Sequence, residues 1–314
     1  MMTTAPFHEG ELAIQLRAGE SQVADRNGVM IRDTIPRGAL QFIRQQPMTV
    51  VGTQDKEGRL WASLLFGKPG FLDPADDGRA LRVLLSESGP HQADPFWRNI
   101  AATRRFGMLV IDLGSRRRLR VNGRAASMSA EELILEIEEA YPNCPKYIQR
   151  RHVRQLFHGT HVATSSSHRE GSALDPELTA LIGNADTFFV ASAHPSGGLD
   201  VSHRGGNRGF VKVLDQATLR IPDYQGNGMF NTLGNLALNR NSGLVFPDFE
   251  GRRALQLTGT ADILWNQADP TNETGGTGRY WQLHLDSWLE TSIPDSVAFE
   301  FLDHSPFNPQ PGVV

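Results

Sequence analysis

One pattern occurs twice in this chain, and that repetition limits the available folds more than any other feature. Gly107-Met108-Leu109-Val110-Ile111-Asp112 returns as Gly243-Leu244-Val245-Phe246-Pro247-Asp248. Arg116 and Arg117 return as Arg252 and Arg253, Leu119 to Gly123 as Leu255 to Gly259, and Ser63 as Ser202. The spacing stays near roughly 140 residues, far longer than a solenoid repeat, so each copy must close its own core. Within each copy, short apolar runs rich in β-branched residues lie between turns that contain Gly or Pro. In the first copy they are 48–53, 60–66, 80–85, 108–113 and 119–126. In the second, 188–193 and 199–202 flank the turn Pro195-Ser196-Gly197-Gly198. Short strands joined by tight turns predict a small closed or partly closed barrel, present twice.

Helix signals are fewer. Pro36 and the pair Asp94-Pro95 predict helices over 38–46 and 95–105, and Asp175-Pro176 predicts one ending at Ile182. Ser129-Ala130-Glu131-Glu132 forms a capping box, and Leu133, Ile134, Ile137 and Tyr141 at helical spacing predict a helix to Tyr141. Further helices are expected over 143–151, 231–239 and 279–288, with a final strand at 297–302. Leu12, Ile14 and Leu16 alternate with polar neighbours and suggest a short strand or an arm packed on the body. The division expected is an arm at 1–35, a first barrel with helices at 36–157, a linker at 158–174, a second barrel at 175–304 and a loose tail at 305–314.

Composition excludes several classes. The 314 residues suffice for two domains, with 39% apolar and 21% charged residues and a net charge of -4. That balance gives no reason to expect nucleic acid or an anionic membrane as partner. A single cysteine, Cys144, precludes an intrachain disulfide and a Cys-rich metal site, and reads as a small buried hydrophobe. No run of about 18 apolar residues occurs and no signal-peptide core opens the chain, so a cytoplasmic protein is expected. His158, His161 and His168 lack an acidic partner at ligand spacing and read as polar linker, so no metal site is expected. No Gly-x-Ser-x-Gly elbow is present, which argues against an α/β-hydrolase.

Two polar, glycine-punctuated segments of the second copy can carry chemistry. In 201–210, His203, Arg204 and Arg208 sit in a Gly-rich loop after a strand, and Arg204 can make a two-pronged bond to a phosphate. In 222–235, Gly226, Gly228 and Gly234 accompany Asn227, Asn231, Thr232 and Asn235 at a helix start. A helix start offers free N–H groups and the positive end of the dipole to an anion. Alone, that segment is better explained as an ordinary capped helix; the basic loop beside it turns the balance. The absence of Gly-Lys-Ser/Thr excludes the usual nucleoside triphosphate loop. Arg116-Arg117-Arg118 with Arg120 reads as a solvated hairpin tip, with a cofactor edge as the alternative.

Taken with Phe7-His8-Glu9-Gly10-Glu11 and the segments 63–71, 143–149, 200–206, 209–211, 230–235 and 255–259, the chain resembles the FMN-binding split-barrel superfamily, the pyridoxamine 5'-phosphate oxidase-like proteins. Within it, the chain is most similar to a branch of flavin-nucleotide-binding proteins with two barrels. The resemblance implies a mainly β fold with peripheral helices: a duplicated split barrel of Greek-key type, with the flavin at the junction of the two copies. It implies FMN, with FAD as the alternative, and a phosphate resting on Arg204 and the 227–235 segment. Implied contacts are Ser202, His203, Arg204, Gly205, Asp223, Tyr224, Gly226, Asn227, Asn231, Thr232 and Asn235, with Lys146, Tyr147 and Gln149 from the segment after Cys144-Pro145. Lys146 would place positive charge near the ring, or else face solvent. His203 is the candidate proton donor.

The chain also departs from true pyridoxamine phosphate oxidases. Those carry basic residues where Gly226-Asn227 and Asn231-Thr232 stand, and end in an Arg-Leu-x-Pro type motif absent here, so vitamin B6 oxidation is not expected. The first copy has Pro95-Phe96-Trp97-Arg98-Asn99 in place of an Asn/Thr helix start, so one flavin site is expected, governed by the second copy. Three functions are compatible with the resemblance. One is a flavin-dependent oxidoreductase fed by NAD(P)H or another small electron donor. Another is a flavin-carrying relay that works with a partner reductase. The third is a haem-binding barrel with His8, His203 or His304 as axial ligand. A homodimer is compatible with each.

Overall fold

The computed structural model describes residues 6–85, 93–155 and 168–310. Three helices come first, α1 (Glu9–Ala18), α2 (Ser21–Gly28) and α3 (Arg37–Arg44). The first barrel follows with β1 (Met48–Gln54), β2 (Leu60–Phe66), β3 (Leu72–Pro74), β4 (Ala80–Leu84), α4 (Phe96–Thr103), β5 (Arg105–Asp112), β6 (Arg117–Met128) and β7 (Glu132–Pro142). After β8 (Arg150–Gln155), β9 (Arg169–Gly171) and α5 (Pro176–Asn184) the second barrel contains β10 (Thr187–Ala193), β11 (Leu199–Gly205), β12 (Lys212–Asp215), β13 (Thr218–Pro222), α6 (Asn231–Leu238), β14 (Asn241–Asp248), β15 (Arg253–Leu264) and β16 (Tyr280–Ser292). The last strand, β17 (Val297–Asp303), pairs with β8. No helix among the described residues is long and apolar enough to cross a membrane.

The repeat in sequence is a repeat in topology. One sheet runs β2-β1-β5-β6-β7-β4-β3 and the other β11-β10-β14-β15-β16-β13-β12, the same order twice. Even the irregularities recur. Arg116 and Arg252 turn the equivalent hairpins with φ of 55° and 57°. The register shifts at Asn122/Gly123 in one sheet and at Thr258/Gly259 in the other, and such bulges bend long strands toward closure. The fold is a duplicated split β-barrel.

The two barrels pack through β1, β2 and β5 of one and β10, β11 and β14 of the other. Val50, Leu60, Leu64 and Leu109 meet Phe189, Ala191, Val201 and Val245 in a shared core. The opposite faces of the same strands, with Val51, Met108 and Val110, fill the first barrel's own interior. Burial on both faces is why these strands read as unbroken apolar runs rather than alternating ones. The junction is reciprocal. A Cβ on Gly107 would collide with the carbonyl of Leu199, and a Cβ on Gly243 with the carbonyl of Leu60. Only glycine allows backbones to approach this closely.

Several expected elements are different in the structure. The helix expected over 129–141 is the strand β7. Leu133, Leu135 and Ile137 are buried in alternation and pair with β4 and β6, which outweighs the equally available helical spacing. Ser129 does accept N–H bonds from Glu131 and Glu132, but it caps a hairpin turn. The helix expected over 279–288 is β16, held between β13 and β15. The helix expected over 143–151 is a loop that leads into β8. The N-terminal arm consists of α1 and α2, which pack on the second barrel, Gln15 donating to the carbonyl of Met229 and Asn27 to that of Asn227. The tail is not loose through Gln310: Ser305 and Asn308 are buried and bonded to Gln149. His158 and His161 lie outside the described residues.

Candidate functional site

A cleft of about 820 Å³, counting the space open to solvent, lies between the barrels. The first barrel contributes Arg118 and Arg120 from β6 and the loop at 143–147. The second contributes Ser202 to Gly205 of β11, the loop at 222–230 and the start of α6. Strand alternation sends Ser202 and Arg204 to one face of β11, and Arg118 and Arg120 to one face of β6. Tyr147 and Tyr224 form an aromatic wall with ring centroids 4.9 Å apart, extended by Phe210.

The electrostatics of this cleft are one-sided. Arg118 donates its Nε to the Cys144 carbonyl at 2.7 Å and no carboxylate pairs with it among the described residues. Burial pushes its guanidinium down to about 9. Arg204 is lowered by burial too, and its Nε is buried without a partner. Asp223, the acid nearest this wall, is already bonded to Arg279 Nε at 3.0 Å. His203 is buried with neither ring nitrogen bonded. Burial first, then Arg118 and Arg204, drives its pKa well below the ordinary value, so the ring is neutral. At the head of α6 the N-cap residue Phe230 has φ of 59° and no side chain caps the first turn. The residues of that first turn, Asn231 to Leu233, line the cleft together with the arginines. Half-buried cations without a carboxylate partner, beside uncapped N–H groups, are the chemistry that can receive an anion.

Arg120 is arranged differently. It donates to the Val201 carbonyl at 3.1 Å, to the Tyr141 hydroxyl at 2.8 Å and to Ser202 Oγ, and pairs with Asp200 at 3.2 Å. Burial opposes its charge, but Tyr141 and Asp200 more than offset that and raise its pKa.

Most of the residues expected at the site line this cleft: Ser202, His203, Arg204, Gly205, Asp223, Tyr224, Gly226, Asn227, Asn231, Thr232, Lys146 and Tyr147. Two do not. Asn235 lines a neighbouring cleft and is bonded to Asp200 and Ser192. Gln149 is fully buried and staples the C-terminal segment, bonding Asn308 and the Ser305 N–H. Arg118 and Arg120 were expected at a solvated hairpin tip. The signal against that was Arg118-Leu119-Arg120-Val121-Asn122, an alternation that sends the polar side chains to one face of a long strand. Phe230 and Asn143, which open two of the segments that carry the resemblance, also line the cleft.

A family model described as pyridoxamine 5'-phosphate oxidase matches residues 35–162, which span the first sheet. The match covers less than half of the chain and makes its first barrel similar to the pyridoxamine 5'-phosphate oxidase-like proteins. Similar solved structures include an FMN-binding protein from Syntrophomonas wolfei, at 12% identity over 42% of this chain and 96% of that one, with a TM-score of 0.26. The FAD and haem binding protein from Mycobacterium smegmatis is 14% identical over 42% and 83%, with a TM-score of 0.29. HupZ of Group A Streptococcus is 17% identical over 36% and 90%, with a TM-score of 0.29. No curated protein matches the chain.

The equivalent position on the first barrel, closed by β15 of the second, is built differently. Gln256 stands where Arg120 does: its Nε2 donates to the Ala62 carbonyl at 2.8 Å and to Ser63 Oγ at 3.1 Å. At the cleft, Ser202 Oγ accepts a bond from Thr232 at the head of α6, 3.1 Å. At the counterpart, Ser63 donates to Asp94 at 2.6 Å, and Asp94 also accepts the Phe96 N–H at the head of α4, 2.8 Å. A neutral amide replaces the guanidinium, and the chain's own carboxylate takes the helix start where an anion would sit.

Proposed function

We propose that this chain binds a flavin nucleotide in the cleft between its barrels and works as a flavin-dependent oxidoreductase, with FMN favoured over FAD. The observation that carries this is the pair Arg118 and Arg204, half-buried cations with no carboxylate paired to them among the described residues, beside an uncapped helix start and an aromatic wall. A phosphate satisfies the first group and a planar ring the second. In this reading residues 36–157 and 175–304 act as two halves of one site, so a single chain supplies what two subunits would otherwise share.

Arg204, Arg118, Thr232 and the N–H groups of Asn231 to Leu233 hold the phosphate. Tyr147, Tyr224 and Phe210 offer the stacking face, and Lys146 adds positive charge at the mouth. A bound flavin supplies hydride acceptance and electron transfer. The chain's part is to orient and exclude water, and to present His203, a neutral imidazole able to donate one N–H. The electrons come from a nicotinamide or another small donor, or through a partner reductase. Of the histidines considered for haem, only His203 lines the cleft. His8 is bonded to its own helix start and to Asn235.

Mass spectrometry of the ligand released from purified protein, joined to fluorescence titration with FMN and FAD, tests the proposal. Flavin mass and saturable quenching are expected. A protein that carries no flavin and quenches neither nucleotide sinks it.

A further inference from the structure

A second cleft, of about 980 Å³ with its open space, adjoins the first between α1, β7 and the β10–β11 hairpin. Asn231 lines both. Its wall contains His8 and His194, which with the neighbouring Glu9 form the group of possible metal ligands among the described residues whose donor atoms fall within 4.8 Å of one another. The hydrogen bonds of His8 exclude that use. His8 is the N-cap of α1, and its Nδ1 accepts the N–H groups of Gly10 at 3.2 Å and Glu11 at 3.4 Å. Burial, then His194, lowers its pKa, so the ring is neutral and its one proton is on Nε2. Ligation through Nε2 would move that proton to Nδ1 and break the cap.

That tautomer orients everything behind it. Nε2–H donates to Asn235 Oδ1 at 3.0 Å, which turns the Asn235 amide nitrogen toward Ser192 Oγ at 3.1 Å and Asp200 Oδ2 at 2.8 Å. The other oxygen of Asp200 faces Arg120 at 3.2 Å. In parallel, the Glu11 carboxyl accepts the His8 N–H at 3.0 Å and the side-chain amide of Asn231, first residue of α6, at 2.5 Å.

We infer that His8 and Glu11 are positioning residues for the anion cleft: through Asn235 and Asp200 on one path and Asn231 on the other, α1 holds Arg120 and the first turn of α6 where a phosphate is received. This rests on the phosphate end of the proposed flavin site. Glu11 also links the site to protons. It faces His8 on α1, Asp200 on β11, Glu139 on β7 and Arg120 on β6. Burial, then Asp200, pushes its carboxyl up to about 8. Ionised Glu11 beside the cleft opposes an anion, so anion affinity falls as pH rises through about 8.

Calorimetric binding of inorganic pyrophosphate to the full chain is the test. His8→Asn keeps a good N-cap but is too short to reach Asn235. It is expected to bind about fivefold more weakly, the lower end of ordinary site coupling, with its melting temperature retained. Glu11→Gln is expected to remove the part of the fall centred near pH 8 and to leave the later fall as Arg118, pushed down to about 9, loses its proton. Wild-type affinity in His8→Asn, a melting loss without an affinity loss, or an unchanged pH step in Glu11→Gln would each overturn the inference, as would failure of the wild type to bind pyrophosphate. Titration with FMN separates the two claims. Pyrophosphate binding without FMN binding removes the flavin and leaves the coupling.

Discussion

Arg204 is a half-buried cation with no carboxylate paired to it among the described residues, and in the proposed reading a ligand offsets that cost at the residue scale. Replacing it by methionine is expected to raise the melting temperature of the ligand-free protein. The same change is expected to weaken FMN binding by about tenfold or more, since bonds to charged groups are worth roughly 1.5–3 kcal/mol. Thermal unfolding and fluorescence titration of the same variant check both halves. Glu11 gives a second prediction, about stability against pH. Its folded pKa of about 8 lies above its ordinary 4.5, so between these values the unfolded chain has released a proton that the folded chain retains. Stability therefore falls as pH rises from 4.5 to about 8 and levels off above that. Glu11→Gln is expected to remove this part of the slope in denaturant unfolding. Arg204 was legible in the sequence because a basic residue in a Gly-rich loop has few uses. The role of Glu11 was not, because a carboxylate on an N-terminal helix gives no sign of what that helix covers.

Among the elements, the loop at 143–149 depends on the C-terminal segment. The Ser305 hydroxyl accepts the Tyr147 N–H at 3.1 Å, and Gln149 bonds the Ser305 N–H and the Asn308 amide. Gln149→Leu leaves those buried groups unsatisfied, which costs roughly 1–3 kcal/mol. A lower melting temperature is expected, with weaker FMN binding because Lys146 and Tyr147 lose their anchor. Full FMN affinity in this variant would show that the loop holds its shape unaided. The short helices α3, α4 and α5 were legible from proline and cap residues, and α6 from the polar Asn and Thr at its start. The strands β7 and β16 were not. Leu133, Ile134, Ile137 and Tyr141 satisfy a helical stripe and a strand face about equally, and the neighbouring strands decide between them.

For the whole molecule, the duplication predicts two related junctions and one receptive site. Gly107→Val and Gly243→Val meet equivalent carbonyls across the barrel interface. Each is expected to destabilise the chain, by about 1–3 kcal/mol or more for overpacking against backbone, and by similar amounts in thermal unfolding. Because Asp94 and Gln256 stand at the counterpart of the anion cleft, calorimetry is expected to find one FMN per chain. Two equal sites would contradict the reading of Asp94 as a resident carboxylate.

The sequence by itself determined the number of barrels, their strand-rich character and the second copy's basic, glycine-punctuated loops, because periodicity and turn chemistry are local properties of the chain. Only the tertiary structure decided that Arg118 and Arg120 of the first copy close the site of the second. It alone decided that Asp94 blocks the counterpart, and that α1 reaches Arg120 through His8, Asn235 and Asp200. Several of those contacts join residues far apart in the chain, Arg120 with Ser202 and His8 with Asn235 among them. Their energies depend on burial and on the partner opposite, and neither is written in the spacing of residues along one strand.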